Sequence, residues 1–396
     1  MLLLTVLTVL GFLYWGTMAL LLRRVMRSVP LVRELAGPLP ARWPRVSVIM
    51  PARNEERTLE PALRSKLKET YPELELILVN DRSTDATGAV ADAFARTEPR
   101  LQVVHVDALP EGWLGKVHAM HRGYERASGE WVLFSDADIH LEPGVLERVV
   151  AYAEREPCDH VCILPTVTCS GPVLQATLST FFRMLCVGAR LWAVPDPRSS
   201  AAIGVGAFNL VRREALARTP GLEWLKMEIG DDAALGVMLK RSGARQAVLN
   251  GRSVVSLEFY PSFQALTRAL EKNGASIPFP TILVGNLLLA GLECGFLAGS
   301  GSGHLPLVLL SAVTWAVAAA ATLGLCRWLG FKPGSAWIPF LGVLPLAWAM
   351  VRSGALALVR GGVMWRGTFY PTPVVRAGLR LGPGARASGS TPVQAA

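Results

Sequence analysis

The chain has 396 residues, of which 51% are apolar and 18% are charged, and its 40 basic residues exceed 31 acidic ones to give a net charge of +9. Soluble globular proteins carry about 25% charged residues, so this composition favours a membrane protein and excludes a disordered chain or a small disulfide scaffold. The basic surplus fits either nucleic acid or anionic lipid, and the positions of the charges must decide between them.

The first predicted element is a membrane helix. Residues 2–22 form an uncharged apolar run, which is long enough to cross about 30 Å of hydrocarbon. Arg23, Arg24 and Arg27 follow the run, so the positive-inside rule predicts that this end faces the cytoplasm. A cleaved signal peptide is disfavoured because the basic cluster follows the apolar run instead of preceding it. We therefore predict a retained transmembrane anchor over residues 1–27.

A linker and then an α/β domain are predicted next. Residues 28–45 contain four prolines and are read as the linker, whereas residues 46–275 alternate apolar runs with polar helical segments. This alternation predicts a mostly parallel, Rossmann-like sheet, in which ligands bind beyond the carboxyl ends of the strands. The predicted strands are Val46–Pro51, Leu74–Asp81, Leu101–Val106 and Glu130–Asp136, and the predicted helices are Arg57–Tyr71, Ala86–Arg96 and Lys116–Ala127.

The chain becomes apolar again over residues 276–332. Two apolar segments, 281–298 and 305–326, flank a short polar loop and predict a transmembrane hairpin that returns to the cytoplasm. Glu293 lies in the first arm. A carboxylate within the membrane is a candidate for function, although a position near the outer interface would make it unremarkable.

Residues 333–396 are predicted to be a membrane-associated segment with a basic tail. The apolar stretch 336–358 contains Pro339, Pro345 and Arg352. A third span at the C-terminal side would place the basic tail outside, against the charge rule, whereas a re-entrant or interfacial segment keeps it inside. The two alternatives are nearly balanced, and we favour the second.

Acidic side chains lie at the ends of the predicted strands. Asp136 and Asp138, at positions i and i+2 after a strand, could share a divalent cation such as Mg²⁺ or Mn²⁺ with a nucleotide, or form an ordinary acidic turn. Asp81 could accept the ring N–H of uracil. Glu55 closely follows a strand that ends at Pro51, and both are candidates for contact with the same ligand.

Two further sites each have a functional and a structural interpretation. Lys116 lies between a Gly-rich loop and a predicted helix, where it could bind a diphosphate or remain solvated. Asp231 and Asp232 begin another predicted helix, where acids commonly act as caps and dipole partners, although one could be a general base. Residues 177–194 form an apolar helix that suits either the membrane interface or the core; within it Arg183 and Arg190 are predicted to share one face.

These stretches together resemble the family 2 glycosyltransferases, which have the GT-A nucleotide-sugar-binding fold. The resemblance covers residues 46–275 and keeps the order of the family's motifs. The matching stretches are VSVIMPARNEE (46–56), LILVNDRSTDAT (76–87), GWLGKVHA (112–119), LFSDADI (133–139), GVGAFNLVRREAL (204–216) and GDDAALGVMLKRSG (230–243).

The resemblance implies a role for each of the acidic residues. It implies that Asp81 binds uracil, that Asp136 lies near the nucleotide and that Asp138 binds the metal ion. It further implies that Asp232 is the base that deprotonates the acceptor hydroxyl. Asp231 takes the place of the glutamate that is usual in the family's Glu-Asp pair.

One departure from the family pattern indicates which group of family members this sequence resembles most. Processive members carry a Gln-x-x-Arg-Trp motif after the base, whereas Tyr260–Asn273 contains no Arg-Trp. This difference disfavours a polymer synthase. The region looks more like the branch with a terminal Lys-Asn, which includes glycosyltransferases acting on carotenoids and hopanoid-associated members. Arg268 and Lys272 could hold the diphosphate there, or be solvated helix charges.

The combined prediction is an α/β, GT-A catalytic domain flanked by transmembrane helices. We expect an inverting transferase in the cell membrane that moves a sugar from a nucleotide-diphosphate sugar, with UDP favoured by the resemblance, to a lipid hydroxyl at the cytoplasmic face. Transfer to polyprenyl phosphate and a non-catalytic protein with a degenerate transferase domain are the alternatives. Nucleic acid is excluded as a partner because much of the surplus charge flanks the membrane segments.

Overall fold

The structure is a computed structural model that describes residues 1–381. Within these residues, apolar runs rich in β-branched side chains form an eight-stranded sheet with the order β3-β2-β1-β4-β7-β6-β8-β5. β1 pairs in parallel with β2 and β4, and β6 pairs in parallel with β8, whereas β7 and β5 run antiparallel to their neighbours. The strands are β1 (Val46–Ala52), β2 (Leu74–Asp81), β3 (Leu101–Val106), β4 (Trp131–Phe134), β5 (His140–Leu141), β6 (His160–Thr168), β7 (Asn209–Arg212) and β8 (Gln246–Glu258), and a separate hairpin consists of β9 (Gly362–Trp365) and β10 (Thr368–Pro371).

Helices cover both faces of the large sheet. One face packs against α2, α5 and α6, and the other against α4 and α8, so that the strands are buried on both sides. The helices of the described chain are α1 (Leu2–Ser28), α2 (Leu59–Leu67), α3 (Thr87–Ala95), α4 (Gly115–Tyr124), α5 (Val145–Arg155), α6 (Pro172–Gly188), α7 (Arg213–Ala217), α8 (Asp231–Arg241), α9 (Phe263–Ala269), α10 (Phe279–Cys294), α11 (Leu297–Ser300), α12 (Leu305–Leu329), α13 (Val343–Arg360) and α14 (Thr372–Gly378).

The mostly parallel α/β architecture confirms the predicted fold class, and β2 and β3 have the predicted bounds. The helix predicted from Arg57 begins later, at Leu59. The backbone N–H of Thr84 donates to the Asn54 side chain at 2.8 Å, and the N–H of Glu55 donates to the Thr87 hydroxyl at 2.7 Å. These bonds tie the segment after β1 to the loop after β2, and they hold Glu55 outside the helix.

Three helices of the described chain are long and apolar enough to cross a membrane: α1, α12 and α13. α10 is apolar but has only 16 residues. α13 contains most of residues 336–358, the segment that we predict to be re-entrant or interfacial. Its Arg352 and Arg360 both form ion pairs with Glu271 of the catalytic region, at 2.7 and 2.9 Å. Because these contacts tie α13 to the catalytic domain, an interfacial position remains our prediction.

A buried ion pair joins the catalytic region to the membrane helices. Arg183 of α6 donates to Glu293 of α10 at 2.5 Å, and both side chains are buried. Two residues of α1 complete the cluster: the Tyr14 hydroxyl donates to the Glu293 carboxylate at 2.8 Å, and the Trp15 indole N–H donates to the Glu293 carbonyl at 3.0 Å. Glu293 therefore lies beside the middle of α1 and contributes to docking the helices.

This cluster corrects the prediction for residues 177–194. The helix ends at Gly188, and Arg190 follows it in a left-handed conformation with φ of 51°. Arg183 and Arg190 therefore do not share one helix face. Most of α6 is buried, so the core interpretation of this segment is correct.

We predict that Arg183→Met destabilises the protein by about 3–5 kcal/mol, because it leaves the Glu293 carboxylate buried without its partner. The measurement is thermal unfolding of the purified protein in lipid nanodiscs. Arg42→Met is the matched control, since the Arg42–Glu130 pair is exposed to solvent and should contribute little to stability. If Arg183→Met unfolds at the same temperature as the control, the docking role of the pair is wrong.

Candidate active site

A lysine and three aspartates from separate segments meet where β1 and β4 end. The Lys116 ammonium, at the start of α4, lies 2.8 Å from an Asp136 carboxylate oxygen and 3.2 Å from one of Asp231. Asp232, the next residue of α8, and Pro51 line the same cleft. Five of the predicted site residues thus come together, because parallel strands end at the same edge of a sheet.

The charges of this cleft depend on one another. Burial opposes the charge of Lys116, but attraction to Asp136, Asp231 and Asp232 outweighs it and raises the pKa of the ammonium above its ordinary value. Burial raises the pKa of Asp231, Lys116 lowers it, and Asp232 raises it further. Asp231 is therefore more than a helix cap: it is a buried partner of the lysine.

Asp232 differs from its neighbour in exposure and in hydrogen bonding. Its carboxylate is half-buried and accepts the backbone N–H groups of Gly206 at 3.0 Å and Ala233 at 2.8 Å. The absence of a side chain at Gly206 also leaves room for Asp136, since a Cβ there would lie 2.7 Å from an Asp136 carboxylate oxygen. The two backbone donors orient Asp232 without using a side-chain cation.

Asp138 lies in a strongly negative environment. Burial, followed by the charges of Asp136 and Glu55, raises the pKa of Asp138 to about 6. The buried Lys66 ammonium donates to the carbonyl groups of Ala137 and Ile139, so it supports the backbone around Asp138. Within residues 1–381 no ion pair reaches the Asp138 carboxylate, and no three His, Cys, Asp or Glu side chains are grouped as a metal site. The arrangement suits a cation that uses one or two carboxylates and takes its other ligands from a substrate.

Asp81 lies in an adjoining cavity lined by arginines. Its carboxylate accepts two bonds from Arg82, at 2.7 and 3.1 Å, and lies 3.8 Å from an Arg53 nitrogen. Gly115 is required beside it, since a Cβ there would lie 2.4 Å from an Asp81 oxygen. Lys116 lines this cavity as well as the cleft with the aspartates, so the two adjoin at this residue.

Residues 47–219 of the chain match the family model described as glycosyl transferase family 2. This stretch of the chain is therefore similar to a family 2 glycosyltransferase domain. The Bacillus subtilis protein named as an uncharacterized glycosyltransferase EpsJ is 31% identical over 118 residues, which are 30% of this chain and 33% of that protein. A 4,4'-diaponeurosporenoate glycosyltransferase of Staphylococcus aureus is 24% identical over 290 residues, which are 72% of this chain and 70% of that one.

The fold agrees with a solved member of the same class. The mannosyltransferase PcManGT from Pyrobaculum calidifontis, determined in complex with GDP-Man and Mn²⁺, superposes with a TM-score of 0.57. At 21% identity, the match covers 90% of this chain and 99% of that one. The comparisons together identify a glycosyltransferase with a GT-A fold.

The C-terminal hairpin β9–β10 forms one wall of the cavity around Asp81. The sequence analysis did not predict this contribution. Trp365, Arg366 and Tyr370 line the cavity of Asp81, and an Arg366 nitrogen lies 3.3 Å from a Glu55 carboxylate oxygen. Arg366 and Gly367 both have positive φ, which forms the tight turn of the hairpin. The Arg-Gly pair between two short apolar runs is a sequence signal for such a hairpin. The neighbouring sequence does not indicate which part of the protein the hairpin packs against.

The two cations proposed after α8 have different positions. The Lys272 ammonium lies 4.6 Å from the centre of the Trp365 ring; burial lowers its pKa, and the nearby Asp231 raises it. Lys272 therefore belongs to the cleft. Arg268 is exposed on α9, and within the described residues it forms no ion pair with an acid, so the structure does not bring it to the site.

We predict that Arg366→Gln weakens the binding of a nucleoside diphosphate about tenfold, because it removes a charged hydrogen-bond donor worth roughly 1.5 kcal/mol. Titration calorimetry with UDP and with GDP measures the effect. Arg64→Gln serves as control, since the exposed Arg64 pairs with Glu60 on α2, away from the cleft. Equal affinities of the two variants would show that the hairpin covers the cavity without contacting the ligand.

Proposed function

We propose that this protein is an inverting glycosyltransferase that uses a nucleotide-diphosphate sugar, with UDP favoured, to glycosylate a lipid hydroxyl at the cytoplasmic face of the cell membrane. The observation that carries the proposal is the cleft in which Lys116 lies between Asp136 and Asp231, beside the backbone-oriented Asp232. The cleft provides a cation for a diphosphate and a carboxylate for a proton.

The donor would occupy both adjoining cavities. The uracil ring of the donor would lie near Asp81 and the aromatic rings of the hairpin. Its imide N–H would replace an arginine contact of the Asp81 carboxylate. Lys116, Arg53 and Arg366 would surround the diphosphate, whose charge they complement. Pro51 and Glu55 would contact the same ligand from the end of β1.

A divalent cation is proposed at Asp138, with Asp136 beside it. Burial, together with the charges of Asp136 and Glu55, raises the pKa of Asp138, and this supports the assignment because a cation would relieve the repulsion between these carboxylates. PcManGT was solved with Mn²⁺, and carboxylate oxygens suit either Mn²⁺ or Mg²⁺. When bound, the ion would offset the charge that develops on the leaving diphosphate.

Asp232 would act as the base. As the acceptor oxygen forms a bond to the anomeric carbon, its proton passes to the Asp232 carboxylate. The bond from that carbon to the diphosphate oxygen breaks, and its electron pair leaves with the nucleoside diphosphate. A single displacement of this kind inverts the anomeric centre, and Lys116 stabilises the departing charge.

Two features support a lipid acceptor, and a third supports the cytoplasmic orientation of the catalytic domain. The staphylococcal relative is named for the carotenoid diaponeurosporenoate. The described chain has three candidate membrane helices, and the buried Arg183–Glu293 pair joins the catalytic region to them. The arginines at the end of α1 predict that the catalytic domain faces the cytoplasm, where nucleotide sugars are made.

The function is tested by incubating the protein in nanodiscs with radiolabelled UDP- and GDP-sugars and a panel of lipids, followed by extraction into organic solvent. The panel contains dioleoylglycerol, ceramide, a hydroxylated carotenoid and undecaprenyl phosphate. We expect label from a UDP-sugar on one of the hydroxyl lipids. Label on undecaprenyl phosphate alone would support the polyprenyl phosphate alternative, and no labelled lipid would contradict the proposal.

We predict that Asp232→Asn lowers turnover by two to four orders of magnitude, because asparagine cannot accept the proton. Nucleotide affinity should change little, since an amide oxygen can still accept the N–H of Gly206. Asp231→Asn is the matched comparison: it should weaken nucleotide binding by disturbing Lys116 while retaining most of the turnover at saturating donor. If Asp232→Asn keeps more than about a third of wild-type turnover, the base assignment is wrong.

A further inference from the structure

A second cavity, of about 280 Å³, opens at the junction of the catalytic region and the membrane helices. It lies between the ends of β6 and β8, the first turns of α6 and the loop that follows α12. Its lining is half polar and half apolar, and includes Thr168, Ser170, Leu178, Glu258, Phe331 and Lys332.

The cavity lies at the same edge of the sheet as the catalytic cleft. β6 and β8 run parallel to each other, and both end at this cavity. β5 pairs with β8 in antiparallel register, with His140 opposite Ser256. Asp138 precedes His140 by two residues and Glu258 follows Ser256 by two, so the end of β8 connects the proposed cation site to the cavity.

A row of aromatic side chains that pack on one another lies between the two sites. Tyr260 lies near Asp136 and Asp138, whose charges raise its pKa after the larger effect of burial. The Tyr260 ring contacts Phe259 at 4.7 Å between centroids, Phe259 lies 6.4 Å from Phe182, and Phe182 lies 5.2 Å from Phe331. Phe331 lines the cavity.

The other side of the cavity faces the membrane. Gly330, Phe331 and Lys332 follow directly on α12, which is a candidate membrane span. The Thr166 hydroxyl of β6 donates to the carbonyl of Leu329 at 3.1 Å, so the cytoplasmic end of that helix is attached to the sheet. The exposed Lys332 is suitably placed to meet anionic headgroups at the membrane surface.

We propose that this cavity binds the head of the acceptor lipid and directs its hydroxyl along the aromatic row toward Asp232. The inference rests on the proposed function and adds to it the place where the acceptor enters. A volume of about 280 Å³ is at the lower limit of small-molecule sites. It accommodates a headgroup and a few methylene groups, so the lipid tail would remain in the bilayer beside α12.

The test fills the cavity without touching the catalytic residues. Ser170 is exposed at the cavity wall, so Ser170→Trp should occupy the space and leave the fold intact. We expect at least a tenfold rise in the KM for the member of the lipid panel that accepts label. The affinity for UDP and the slow hydrolysis of the donor by water should stay at the wild-type values. Val173→Trp is the matched control, because Val173 is exposed three residues later, at the start of α6 and outside the cavity lining.

A second measurement does not depend on turnover. A diacylglycerol with a photoactivatable diazirine near its headgroup should crosslink to residues 167–179 or 330–332, and Ser170→Trp should prevent this labelling. An unchanged acceptor KM in Ser170→Trp, together with crosslinks confined to other surfaces, would overturn the cavity assignment while leaving the proposed function intact. A wild-type protein that glycosylates no lipid would contradict the proposed function itself, and the cavity assignment with it.

Discussion

The contact of Lys116 with Asp136 and Asp231 is the interaction on which the catalytic cleft depends. It joins the start of α4, the end of β4 and the start of α8, which are distant in the sequence. Without the ammonium, three carboxylates would face one another in a largely buried space, which is electrostatically unfavourable. With it, Asp136 and Asp231 both have a cationic partner, while within residues 1–381 Asp232 and Asp138 form no ion pair and remain available for a proton and a cation.

The distribution of charge explains why two adjacent aspartates can have different roles. Asp231 is buried against the lysine, whereas Asp232 is half-buried and receives two backbone N–H groups. Because Asp232 is the more exposed of the two, its carboxylate is the one that an acceptor hydroxyl can reach. The same reasoning separates Asp136, which is paired with Lys116, from Asp138, which is surrounded by acids and suited to a cation.

The sequence predicted the local part of this structure well. Alternating apolar runs located the first four strands, β1 to β4, and the acids at the end of β2 and after β4 converge because the carboxyl ends of parallel strands meet at one edge. The long-range contacts could not be predicted in this way. From the sequence alone, Arg183 could be an interfacial or a core residue. Only the structure shows that it pairs with Glu293, which lies 110 residues later in the chain. The sequence likewise indicates that Arg366 is part of a basic tail. In the structure it contacts the Glu55 carboxylate, although the two residues are 311 positions apart in the chain.

The central claim is that the crowded acids at the sheet edge hold a divalent cation together with the diphosphate of the donor. Electron paramagnetic resonance of Mn²⁺, titrated into the protein with and without UDP, tests this claim directly. We expect tight binding of one Mn²⁺ that requires UDP and is lost in Asp138→Asn, while Arg64→Gln binds as the wild type does. Full sugar transfer in the presence of EDTA, with no UDP-dependent Mn²⁺ signal, would contradict the account.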